Sequence, residues 1–179
     1  MSISAEGKFQ YPTGKDGAIA LGYDPAVIES APARFFESSC GVGNPFSLGN
    51  IRLGAAVLDF GCGAGFDLFV ASKLVGESGR ICGIDLTEDM VVRARENLIL
   101  AGITNFEIGK VDSETIPYDD HSFDVVISNG VINLSPCKQT VFREISRVLK
   151  PGGRLQFADV VLEKDLPASL AGSAEAWSQ

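Results

Sequence analysis

The stretch Val57-Leu58-Asp59-Phe60-Gly61-Cys62-Gly63-Ala64-Gly65 leaves few folds open. Val57, Leu58 and Phe60 favour a short buried strand, and glycine at positions 61, 63 and 65 ends it in a sharp turn. A helix is expected from about Phe66. Glycine lets the backbone reverse and lets a ligand approach without a Cβ in the way. The helix N-terminus behind the turn offers free N–H groups to an electron-rich ligand group. Such a turn is a weak signal alone. Two acids strengthen it: Asp59 in the strand and Asp85 at the end of the next one.

The same pattern repeats downstream. Strands are expected at Ala55–Phe60, Arg80–Asp85, Asn105–Gly109, Phe123–Ser128 and Arg154–Leu162. Between them fall a helix over Phe66–Leu74 stopped by Gly76, and a second opened by Thr87 with Glu88 and Asp89 in its first turn. In the second, Val91, Ala94 and Leu98 share one face, and Gly102 ends it. A third helix starts at Ser135-Pro136, turns Val141, Ile145 and Val148 inward, and stops at Lys150-Pro151-Gly152-Gly153. Strands alternating with helices on short loops give an α/β fold. Its parallel, Rossmann-like sheet carries helices on both faces, with expected strand order 3-2-1-4-5. Asp59, Asp85, Asp112 and Asn129 fall at or just beyond the carboxyl ends of successive strands, where such sheets bind ligands.

Residues 1–46 read as a separate N-terminal portion. Residues 1–23 are a loose arm, Asp24-Pro25 opens a helix to about Ser38, and Cys40-Gly41-Val42-Gly43-Asn44-Pro45-Phe46 is a tight loop. Its glycines either connect elements or let the loop lie against a ligand. Residues 47–162 form the core domain, and residues 163–179 an Ala/Ser-rich tail with a short helix packing Trp177.

The 179-residue chain is 45% hydrophobic, enough for one domain with a core. A net charge of −8 with no basic run argues against nucleic acid or an acidic membrane surface as partner. No apolar run approaches the ~18 residues of a membrane span, and the start has no signal-peptide core, so a cytoplasmic protein is expected. Four cysteines without CxxC spacing and the single His121 do not make a zinc site, and no metal is expected.

The ligand follows from spacing and charge. A dinucleotide turn runs G-x-G-x-x-G, whereas Phe66 stands where its third glycine would be. Asp59 would also repel a pyrophosphate and attract a cation. S-adenosylmethionine carries an ammonium, a sulfonium and no phosphate. Asp59-x-Gly61-x-Gly63-x-Gly65 resembles the first motif of the class I S-adenosylmethionine-dependent methyltransferases, and Gly83-Ile84-Asp85 resembles their ribose-binding acid motif. The segments Val111–Pro117, Ser122–Val126 and Val148–Gly153 are similar to later family segments, in the right order. The resemblance covers about Ser47–Val161. It implies S-adenosylmethionine as cofactor, held by Asp59, Gly61, Cys62, Gly63, Gly65, Asp85, Leu86, Met90, Asp112, Ser113 and Asn129, with Asp112 meeting the adenine amino group. It also implies an enzyme of the EC 2.1.1 class acting on a small-molecule acceptor.

A narrower resemblance is to the arsenite methyltransferase branch, through Gly41-Val42-Gly43-Asn44-Pro45 and Ser128-Asn129-Gly130-Val131-Ile132-Asn133-Leu134. That branch carries arsenic-binding cysteines where this chain has Val42 and Gly130. Soft arsenic(III) needs thiolates, which valine and glycine cannot supply, and this counts against arsenite as acceptor. The family sheet ends in two antiparallel strands, yet no strand-like run follows Leu162. An open sheet edge invites pairing, and a homodimer through it is expected.

Methyl transfer from a sulfonium has a good neutral leaving group, so positioning the nucleophile can carry much of it. No general base stands out, and His121 reads as a solvated loop residue. Catalytic residues stay unassigned; Cys40, Asn129 and Asn133 are candidate acceptor contacts. Two rival readings remain open: a cofactor-binding module without independent catalysis, and a nicotinamide dehydrogenase, which Asp59 and the glycine spacing disfavour.

Overall fold

A computed structural model describes residues 12–161. Five strands, β1 (Ala56–Phe60), β2 (Arg80–Asp85), β3 (Phe106–Lys110), β4 (Phe123–Asn129) and β5 (Leu149–Ala158), form one sheet of order β3-β2-β1-β4-β5. All four pairings are parallel, as the strand–helix alternation predicts. Alternate side chains divide the sheet between two cores. Val57, Ile81, Ile108, Val125 and Ile127 pack under α3 (Phe66–Val75) and α4 (Glu88–Leu100). Leu58, Cys82, Ile84, Phe123 and Val126 pack under α5 (Lys138–Val148).

The N-terminal portion is more ordered than a loose arm. Gly14–Ala20 is a helix, α1, with Ala18 buried in the first core. Asp24 caps α2 (Pro25–Ser30) by accepting from the Ala26 N–H at 2.8 Å, as read from the sequence. The expected single helix to Ser38 breaks, because Pro32 pushes Ala31 into extended backbone with ψ 129°. A 3-10 turn, Ala33–Ser38, follows and drives the fully buried Phe35 against Phe69, ring centroids 5.0 Å apart.

Two further boundaries differ. Ile132–Leu134 forms a 3-10 turn, and α5 starts at Lys138 rather than at Ser135-Pro136. The Ser135 Oγ accepts the Cys137 N–H and donates to Glu114, so its capping chemistry is spent before the helix. The expected stop at Lys150–Gly153 lies inside β5, where a register shift against β4 between Phe123 and Val125 absorbs the extra residues. β5 ends at Ala158, earlier than expected, and residues 163–179 with their predicted helix lie outside the described residues.

Asp124 ties the opposite end of the sheet together. Its carboxylate accepts from the Ala56 N–H (2.9 Å), Arg52 (2.6 Å) and Lys150 (2.8 Å). Burial alone would raise this carboxyl, but those three donors hold it down at about 2. A depressed pKa contributes stability above the unfolded value near 3.9 that is lost as pH falls toward 2. Asp124→Asn should therefore cost about 1–3 kcal/mol at pH 7 by urea denaturation. Its gap from the parent should close as the pH is lowered through that window.

Candidate cofactor and acceptor site

The glycine turn follows β1 as the sequence requires. The Gly61 and Cys62 N–H groups both donate to the Ile84 carbonyl, at 2.9 and 3.0 Å, which ties the turn to β2. Gly61 has φ 81°, and a Cβ there would lie 2.5 Å from a Val131 methyl, so only glycine fits. Gly63 differs: a Cβ would meet nothing within 4 Å, leaving its face open to a ligand. Asn97 of α4, almost wholly buried, donates to the Ala64 carbonyl at 3.0 Å and props the turn from behind.

Asp85 is fixed by backbone alone. One carboxylate oxygen accepts the Gly63 N–H and the other the Thr87 N–H, each at 2.9 Å. Each oxygen keeps a lone pair for a further donor, which suits a pair of ribose hydroxyls. Thr87 is the N-cap of α4 as expected, but its side chain makes no cap bond.

Asp59 is only 2% exposed, and among the described residues no group donates to its carboxylate. Burial drives this carboxyl well above its usual range, and repulsion from Asp67 and Asp85 adds to the rise. A buried acceptor with acidic neighbours and no partner is costly unless a cation compensates it. The ammonium and sulfonium of S-adenosylmethionine fit this cradle, whereas a pyrophosphate does not. Cys62 is buried beside it. Burial, then Asp59 and Asp85, push its thiol up, so it stays neutral and fills space.

A second network, missed in the sequence, joins the N-terminal portion to the strand ends. The Tyr23 hydroxyl donates to the Asp67 carboxylate at 2.7 Å. The Asn129 Nδ2 donates to the other Asp67 oxygen at 3.1 Å, to the Gly43 carbonyl at 2.9 Å and to the Tyr23 hydroxyl at 3.1 Å. The Asn129 Oδ1 accepts the Val42 and Gly43 N–H groups, at 2.9 and 3.2 Å. The loop glycines are more than connectors: a Cβ on Gly41 would overlap the Asn129 amide, and one on Gly43 would overlap Ala158. The loop's seating also brings Val42 against Gly130, where a Cβ would lie 3.4 Å from both Val42 methyls. Asp67 reads in sequence as an acid at a helix start and Tyr23 as a residue before a cap. Their partners lie 44 and 106 residues from Tyr23, beyond any local pattern.

The remaining predicted residues are dispersed. The Val111 N–H donates to the Asp85 carbonyl, bringing the Asp112 segment beside Asp85. Asp112 itself is exposed and ion-paired with Lys110, and the Ser113 Oγ accepts the Thr115 N–H at 3.3 Å. Leu86 is exposed and Met90 half-buried at the start of α4. The Asn133 N–H donates to Asp159, and Cys40 is an exposed thiol. His121 contacts the Leu149 carbonyl at 2.9 Å, at the other end of β4 from Asn129. No helix among the described residues is long and apolar enough to cross a membrane.

Residues 51–179 match a family described as a methyltransferase domain. The chain is 41% identical over 155 residues to an arsenite methyltransferase of Halobacterium salinarum, covering 87% of this chain and 39% of that protein. It is 36% identical over 119 residues to a demethylmenaquinone methyltransferase of Shouchella clausii, covering 66% of this chain and 48% of that protein. Among solved structures, it is similar to an arsenic(III) S-adenosylmethionine methyltransferase from Chlamydomonas reinhardtii, with TM-score 0.74 and 38% identity. That match covers 83% of this chain and 53% of the other. The chain thus spans less than half the length of the curated relatives it matches.

A raised carboxyl pKa contributes stability that is present below the unfolded value and lost as pH rises through the folded one. The ligand-free chain should lose melting temperature as pH rises above the ordinary carboxylate range. Asp59→Asn should flatten that fall and stabilise the free chain at neutral pH. A variant melting lower than the parent at pH 7, with the slope intact, would remove the charge from the account.

Proposed function

The chain belongs to the class I S-adenosylmethionine-dependent methyltransferases, and we propose that it transfers a methyl group to a small, self-activated nucleophile other than arsenite. The observation that carries the reading is Asp59, a buried carboxylate with no donor among the described residues, at the foot of a turn whose Gly63 face is open. In this reading Asp59 meets the cationic amino-acid end of the cofactor and Asp85 its ribose hydroxyls. Asp112 and Ser113 meet the adenine, with Leu86 and Met90 flanking it. When bound, the cofactor supplies an electrophilic methyl group on a sulfonium.

The chain's own residues narrow the acceptor. Val42 and Gly130 meet where the arsenite branch places thiolates, so this wall offers a soft metalloid no ligand. Every polar atom of Asn129 is committed to the loop and to Asp67. Tyr23 is a poor base, because burial and the Asp67 charge raise its pKa far above the usual phenol range. The acceptor must bring its own nucleophile: a thiol, a selenol or an activated carbon. The likeness to ubiquinone/menaquinone biosynthesis C-methyltransferases supports the carbon case. Among the described residues nothing pairs with the outer edge of β5 and Phe157 is exposed, which supports pairing of two copies. A monomer by light scattering at tens of micromolar would contradict that pairing.

Titration with S-adenosylhomocysteine should show binding that Asp85→Ala weakens about 10- to 100-fold, the loss of one or two charge-assisted hydrogen bonds. A panel of thiol, selenol and activated-carbon acceptors should give cofactor turnover, and arsenite should give none. Binding without any turnover would identify a cofactor-binding unit instead. Undiminished binding by Asp85→Ala would remove its assigned role.

A further inference from the structure

We infer that Asp67 is a positioning residue that couples the cationic end of the cofactor to the seating of the Gly41–Gly43 loop, acting through Tyr23 and Asn129. The inference rests on the cofactor reading above and goes beyond it.

The coupling starts with the direction of one amide. An ionised carboxylate only accepts hydrogen bonds, so the Asn129 Nδ2 must face Asp67, as it does at 3.1 Å. Its Oδ1 is then delivered to the loop, where the Val42 and Gly43 N–H groups need an acceptor. Were Asp67 neutral, its O–H could donate and the amide could turn over. Its NH2 would then face two N–H groups, donor against donor, and the loop would lose its seat. Tyr23 reinforces the arrangement by donating to the second Asp67 oxygen at 2.7 Å while lying 3.2 Å from the Gly43 carbonyl.

Whether Asp67 stays ionised depends on its surroundings. Burial raises its carboxyl, while the bonds from Tyr23 and Asn129 pull it back down. Among the described residues, the charged and titratable groups against this cluster are Tyr23 from the N-terminal portion, Asp59 at the end of β1 and, beyond it, Cys62 in the glycine turn and Asp85 at the end of β2. None is a cation. Asp59 and Asp67 repel each other when both are ionised, so in the free chain the buried pair holds on to a proton. A cation held at Asp59 removes that repulsion, favours the ionised Asp67 and strengthens both of its donors. By linkage, a seated loop must favour the cofactor by the same factor. The chain then takes the cofactor before its acceptor wall, Val42 against Gly130, is fixed.

The test measures hydrogen exchange at the Val42 and Gly43 amides with and without saturating S-adenosylmethionine, with calorimetry on the same samples. In the parent chain the cofactor should slow exchange at both amides by about tenfold, equivalent to roughly 1.4 kcal/mol of coupling. Asp67→Asn should bind the cofactor about tenfold more weakly and lose the cofactor-dependent protection. Tyr23→Phe, which removes only a hydroxyl, should lose part of it and guards against a fold defect in the first variant. A purely structural role for Asp67 would speed exchange equally in both states. Cofactor binding with no added protection in the parent, or with equal added protection in Asp67→Asn, would overturn the coupling. A parent chain that binds no cofactor would overturn the cofactor reading and this inference with it.

Discussion

A buried carboxylate at the end of the central strand, to which no described residue donates, shapes everything around it. Asp59 sits at 2% exposure, pushed toward its neutral form by burial and by Asp67 and Asp85. A fold does not keep such a charge cheaply. Among the described residues none donates to it, Gly63 is bare in the adjoining turn, and the neighbouring Asp85 is anchored by two backbone bonds. These features converge on a ligand that is cationic at one end and rich in hydroxyl donors at the other. The family match gives that ligand its name, and the acid explains why a phosphate-bearing nucleotide does not fit the same turn.

The acceptor side is organised by a different economy of hydrogen bonds. One amide, Asn129, satisfies two loop N–H groups, a loop carbonyl and an acid on α3. The glycines at 41 and 43 permit this approach because a Cβ at either would collide with what they touch. Gln156 pins the same segment from β5, donating to the Gly49 carbonyl at 2.9 Å and the Pro45 carbonyl at 3.2 Å. The loop is thus seated on β4 and β5 together. In the proposed reading, valine rather than cysteine at its tip separates this chain from the arsenite branch in chemistry while leaving the framework alike.

Much of this was legible in the sequence, and the failures have physical causes. The strand–helix alternation gave the sheet order, because parallel crossovers leave few alternatives and both cores follow the period of the strands. The glycine turn was readable because its signal is local, and Asp85 because an acid closes the very next strand. Several boundaries went astray, some where tertiary contacts outweighed local signals and one where a local signal was passed over. Helix α1 is fixed by burial of Ala18 rather than by any pattern. Pro32 split the helix expected to reach Ser38. The Lys150–Gly153 stop became a bulge because β4 offered its backbone a partner. Tyr23 and Asp67 were illegible for a simpler reason: each looks like a helix-start residue, and only the folded chain brings them to Asn129.

The most direct measurement is the proton balance of cofactor binding. S-adenosylmethionine is titrated into the chain by calorimetry in buffers of different ionisation enthalpy. A cation entering beside a carboxyl whose pKa is raised must drive its proton off, so binding should release protons. The release should shrink as pH rises past the raised pKa and vanish in Asp59→Asn, whose affinity should also fall. Binding with no proton release at any pH, and with equal affinity in Asp59→Asn, would show that the buried acid does not select this cofactor.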